Sequence, residues 1–114
     1  MFLIDMAIHH KELASGRWQT LTLSEQMGNI GSEVSRASSK EHADKKEFWV
    51  AVERALELFD LTLSDPRWRG RCGEIARAKE VFCDTIYGGK LYKSSFPDLI
   101  RYFDAFAIAA RRNY

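Results

Sequence analysis

The sequence predicts an all-α fold, an antiparallel up-and-down four-helix bundle with a short N-terminal extension, and three observations predict it. Apolar residues recur at steps of three and four in four separate stretches, the spacing that gathers them on one face of a helix. The stretches are bounded by helix punctuation: Thr22 with Glu25, Ser64-Asp65-Pro66, Gly88-Gly89, and Ser94-Ser95-Phe96-Pro97-Asp98. No run alternates apolar and polar residues in the manner of a half-buried strand.

The first helix is predicted at about 22–40. Thr22-Leu23-Ser24-Glu25 has the form of a capping box, in which a hydroxyl and a carboxylate each satisfy a free backbone N–H. Leu23, Met27, Ile30, Val34 and Ala37 then make a bundle seam. Gly28, Gly31, Ser32 and Ser35 are poor helix formers. Their concentration on this helix is read as room for a second backbone to approach, because a phosphate-cradling loop would need a preceding strand and a Lys-Ser/Thr pair at this place.

The polar stretch from Ser38 to Lys46 separates the first seam from the second, and the second helix is predicted at about 44–63. Phe48, Val52, Ala55 and Phe59 form one apolar row, and Trp49, Leu56 and Leu63 an adjacent one. Asp65 before Pro66 both ends this helix and caps the next, since proline fits the first helical position, where its missing N–H is not required. The third helix is predicted at about 66–87, with Trp68, Cys72, Ile75, Phe82 and Ile86 inward, and the tight link makes it an antiparallel neighbour of the second. The fourth is predicted at about 97–111, carrying Leu99, Tyr102, Phe103, Phe106, Ala109 and Ala110.

Size and composition fit this plan. A chain of 114 residues, 46% apolar and 29% charged, is one domain able to bury a core without metals or disulfides, and it is unlike a disordered chain. Cys72 and Cys83 stand eleven residues apart on one predicted helix, roughly 16 Å along its axis, too far to bridge. They are read as buried reduced thiols, which fits a cytoplasmic location. The apolar start, Met1 to Ile8, has no basic leader and is interrupted by Asp5, so it does not read as a signal peptide. No stretch approaches the ~20 apolar residues of a membrane span.

Lys and Arg number 17 against 16 Asp and Glu, a net charge of +1, so general attraction to polyanions is not built into the composition. The distribution is uneven. Residues 1–64 hold 7 basic and 10 acidic side chains, whereas residues 65–114 hold 10 basic and 6 acidic. The densest basic run is Arg67-Trp68-Arg69-Gly70-Arg71, joined in composition by Arg77, Lys79, Arg101, Arg111 and Arg112. Arginine forks onto phosphates and carboxylates, and tryptophan stacks on bases. These nine residues are the candidate surface for nucleic acid or a protein partner, the alternative being that they pair with Glu33, Glu57 or Asp60 of neighbouring helices or with an adjacent subunit.

Signals for catalysis are thin, and no catalytic, metal-binding or cofactor-binding residue is assigned. His9 and His10 are adjacent and His42 lies in a charged linker, none with a ligand partner at helical spacing. The Glu-x-x-His pairs of diiron bundles are absent. Glu53, Glu57 and Asp60 form an acidic row on the second helix, read as a solvated stripe or as partners of the basic third helix. Arg36 and His42, with five residues between them, meet the loose spacing of HEPN-type ribonucleases, which are also helical bundles. That spacing supplies an enzymatic alternative.

The segment Asn29-Ile30-Gly31-Ser32-Glu33-Val34-Ser35-Arg36, followed by Lys46-Glu47-Phe48 and Ala51-Val52-Glu53-Arg54-Ala55-Leu56-Glu57-Leu58, resembles the small four-helix proteins encoded in bacterial 23S rRNA intervening sequences. The resemblance covers mainly the first two helices. It implies an antiparallel four-helix bundle, a ring-like pentamer and no known catalytic site. Relatives of that family include the accessory protein of diversity-generating retroelements, a basic pentameric barrel that binds nucleic acid and a reverse transcriptase. The expectation for this chain is therefore a non-enzymatic, self-associating bundle that binds RNA, DNA or a protein, with a purely structural oligomer as a further alternative. Three tryptophans and 12% aromatic residues point the same way, with Trp18 and Tyr114 as candidates either for subunit contacts or for covering the bundle ends.

Overall fold

A computed structural model of the chain describes residues 16–112. The apolar leader, His9, His10 and Tyr114 lie outside them. Four α-helices follow a short 3₁₀ turn at Trp18–Thr20: α1 Leu23–Lys40, α2 Lys45–Leu63, α3 Cys72–Ile86 and α4 Phe96–Arg112. Among the described residues there is no strand, and the all-α four-helix arrangement is the predicted one. No helix is long and apolar enough to cross a membrane.

The starts of α1, α2 and α4 are capped much as the sequence requires. The Thr22 hydroxyl accepts from Glu25 N–H at 3.1 Å and the Glu25 carboxylate accepts from Thr22 N–H at 2.9 Å. Asp44 accepts from Glu47 N–H and opens α2 after a short turn at residues 41–43. At α4 the Ser95 N–H and hydroxyl both donate to Asp98.

The third element departs from the expected single helix over 66–87. Pro66–Arg71 is a 3₁₀ segment, kinked where Trp68 leaves helical geometry (φ −104°, ψ 20°), and the α-helix begins only at Cys72. Asp65 tightens this turn by accepting Arg67 N–H on its side chain and Trp68 N–H on its carbonyl. The helix ends as predicted at Gly88 and Gly89, both with positive φ. At Gly89 a side chain would also strike the Ser94 carbonyl at 2.6 Å.

The core is built from Met27, Ile30, Val34, Ala51, Val52, Ala55, Phe59, Ile75, Phe82, Leu99 and Phe103. On α2 the second buried row is Ala51, Leu58 and Thr62, while Trp49, Leu56 and Leu63 stay half-exposed. Cys72 and Cys83 are free and half-buried, not fully buried as expected. The helix α1 packs along both α2 and α4, α3 leans mainly on α2, and α3 and α4 barely meet.

Candidate binding surfaces

The end of the bundle where α2 hands over to α3 is held by a buried polar network that none of its members announces in the sequence. Asp65 is 2% exposed and receives the Arg67 guanidinium at 2.7 Å together with the Gln26 amide at 3.2 Å. Gln26 also donates to the Trp18 carbonyl at 2.9 Å and accepts from the Trp68 indole at 2.8 Å. Trp18 donates its indole N–H to Thr62 at 3.0 Å, and Arg67 reaches the Leu21 carbonyl at 2.7 Å. Arg67 holds the Asp65 carboxyl below its ordinary range, against the opposing effect of burial. Each buried polar group here has a partner, as a low-dielectric interior demands.

This network decides the fate of the basic run. Arg67 is committed to Asp65 and lies 4.4 Å over the Trp68 ring. Trp68 is half-buried with its N–H engaged, so it is not an open stacking platform. Trp18, 1% exposed, covers the bundle end and offers nothing to a subunit contact. Of the other candidates, Arg71 pairs with Glu74 at 2.8 Å, Lys79 with Asp60 at 2.6 Å, and Arg101 with Asp98. Arg77 lies 5.5 Å over the Tyr92 ring. Arg69, Arg111 and Arg112 are exposed and pair with no carboxylate among the described residues.

Antiparallel packing brings part of this set together. Arg111 lies beside Ser24 and Glu25 at the start of α1, and the start of α1 adjoins the Asp65–Trp68 turn through Leu21 and Gln26. Arg67, Arg69, Arg71, Arg111 and Arg112, from two distant stretches of sequence, therefore share one end of the bundle. Arg77 and Lys79 sit further along α3, and Arg101 lies earlier on α4 beside Tyr102, whose hydroxyl donates to the Glu74 carboxylate that also takes Arg71.

The acidic row on α2 does serve as a partner for α3, through Asp60 and Lys79. Within that row burial, and then the neighbouring Asp60, push Glu57 up to about 6. Arg36 is paired with Glu47 at 2.8 Å, and His42, 90% exposed, touches only Glu41 at 3.3 Å. Among the described residues no cluster of three or more His, Cys, Asp or Glu could hold a metal ion.

Two grooves flank α3. The gap between α3 and α4, about 280 Å³, has Ala78, Val81 and Leu99 as its apolar lining and Glu74, Arg77 and Asp98 as charged groups. A wider groove of about 610 Å³ follows the other side of α3, past Leu63, Ala76, Cys83, Tyr87 and Leu91. Tyr87 and Leu91 are each 75% exposed, and sequence reasoning missed them. The signal was the placement of large apolar residues on both sides of a Gly-Gly turn, where a polar loop is the rule. Compared with known proteins, the chain matches no protein-family model, no curated protein and no solved structure.

Proposed function

We propose that this chain is a non-enzymatic helical binding module that contacts nucleic acid through its arginine-rich end. The observation that carries the reading is that Arg69, Arg111 and Arg112 are exposed and have no carboxylate partner among the described residues, Arg69 on the turn after α2 and the other two at the close of α4. Guanidinium groups so placed suit phosphate oxygens. With the indole of Trp68 engaged, the contact is to the backbone rather than to bases, which makes it indifferent to sequence. The placement of Arg36 against Glu47 and of His42 in solvent lends no support to a paired Arg–His nuclease site.

The test is binding of mixed-sequence RNA and DNA to the wild type and to a triple Arg69→Ala, Arg111→Ala, Arg112→Ala variant. Neutralising about three phosphates predicts an affinity loss of about 40-fold between 50 and 200 mM salt. The triple variant should bind weakly at any salt. Salt-independent binding, or undiminished binding by the variant, would refute the reading. A purely structural role is the second reading, favoured by the pairing of Arg67, Arg71, Lys79 and Arg101 with carboxylates of the same chain; absence of any binding at low salt would leave it standing.

A further inference from the structure

We infer that the gap between α3 and α4 is a binding site for a small organic carboxylate with a short hydrocarbon body. The gap exists because α4 packs along α1 while α3 leans on α2, so that the two helices barely meet. Its volume, about 280 Å³, lies just below the ~300–1,000 Å³ of typical small-molecule sites, which limits the occupant to less than a drug-sized molecule. Ala78, Val81 and Leu99 form its floor, the first and last of them buried. Such a floor takes a hydrocarbon chain and rejects a strongly hydrated one.

The head group follows from which polar groups around the gap are already engaged. Glu74 accepts from Arg71 at 2.8 Å and from the Tyr102 hydroxyl at 3.3 Å. Asp98 accepts from the N–H and hydroxyl of Ser95 and from Arg101. Burial, and then Glu74, push Tyr102 up to about 12, so its proton stays on the hydroxyl that Glu74 receives. Both carboxylates of the gap thus hold an arginine of their own. Arg77 has no carboxylate partner among the described residues. Ser94, half-buried at the same gap, uses its carbonyl for Thr85 and leaves its hydroxyl unbonded among those residues. What remains uncommitted is therefore donors, a guanidinium and a hydroxyl, which suit the two oxygens of a carboxylate. Against two carboxylates stand three guanidiniums, so the surroundings favour an anion over a cation. A phosphate, larger in charge and with three acceptor oxygens, would turn some of them towards Glu74 and Asp98.

Arg77 is also held ready. Its guanidinium lies 5.5 Å over the Tyr92 ring, and Tyr92 is fixed by its hydroxyl to Glu80 at 2.8 Å and by its N–H to Asp84 at 3.0 Å. An arginine laid on an aromatic face keeps N–H groups for an anion and loses little freedom on binding it.

The test titrates the full chain with octanoate, octylamine and octanol, which share one tail and differ in head charge, followed by calorimetry and amide NMR shifts. Octanoate should bind about tenfold more tightly than octanol or octylamine, with shifts centred on Val81 and Leu99. Arg77→Gln, at an exposed position, should weaken octanoate about tenfold and leave octanol unchanged. Val81→Trp should fill the gap and abolish binding while the helical circular dichroism is kept. Octylamine binding as tightly as octanoate, undiminished octanoate binding by Arg77→Gln, shifts confined to other helices, or no octanoate binding by the wild type would overturn the inference. The variant lacking Arg69, Arg111 and Arg112 should bind octanoate as the wild type does, so this inference and the nucleic-acid reading fail separately.

Discussion

A methyl group placed on Gly31 would stand 2.5 Å from the Cβ of Phe103. The glycine is what lets α4 lie directly on α1, with the Phe103 ring packed 6.0 Å from that of Phe59. Gly31→Ala should lower stability by about 1–3 kcal/mol through overpacking, despite the better helix propensity of alanine. Gly73, in α3, meets nothing within 4 Å. Gly73→Ala should therefore gain about 0.5–1 kcal/mol. Urea denaturation of both variants checks the contrast; equal effects would mean that α1 and α4 do not approach this closely.

Trp18 lies before the first long helix, yet it is fully buried and bonded to Thr62 across 44 residues of sequence. Trp18→Ala should cost about 3–5 kcal/mol, the range for a deleted core aromatic. A truncation starting at Thr22 should be destabilised at least as much. Thermal melting of the two proteins supplies the measurement, and unchanged midpoints would remove the hook at residues 17–21 from the folding unit.

Asp65→Asn keeps the shape of the side chain and removes the charge that Arg67 faces. The expected loss is about 1.5–3 kcal/mol, that of a hydrogen bond to a charged group. The folded carboxyl titrates below its ordinary value, so its stabilising contribution is complete above the unfolded value near 4 and fades as pH falls through the folded one. Acid denaturation of the wild type should be steeper than that of Asp65→Asn.

Glu57 acts in the opposite sense. Its folded value, about 6 against 4.5, disfavours the ionised form, so folding loses stability as pH rises through that window and regains it on acidification. Between pH 7 and 5 this group should raise the melting temperature. Glu57→Gln should remove that rise and be the more stable protein at pH 7; an unchanged pH profile would show that Glu57 is not strained by burial and by Asp60.

The helices were legible because their signals are local. The Thr22–Glu25 box, the seam from Leu23 to Ala37 and the Gly88-Gly89 stop all lie within a few residues of the structure they dictate. The basic surface was only half legible. Composition located the basic residues, and Arg67, Arg71 and Arg101 find carboxylates two or three residues away, but Lys79 takes Asp60 of α2 and Arg67 also reaches the Leu21 carbonyl. The same distance hid the break at Trp68, where periodicity continues although the backbone does not. Gln26 on α1 holds that indole from 42 residues away, a tertiary bond that no helical period encodes.

The weak seating of α3 against α4 has a further consequence. Local opening follows the least-buried unit first, and in this chain that unit is α3, with support mainly from α2. Its amides should exchange with deuterium sooner than those of α1, which is gripped from both sides. That helix is thus the one freest to open, and anything that binds against it would be read out as slower exchange along Cys72–Ile86.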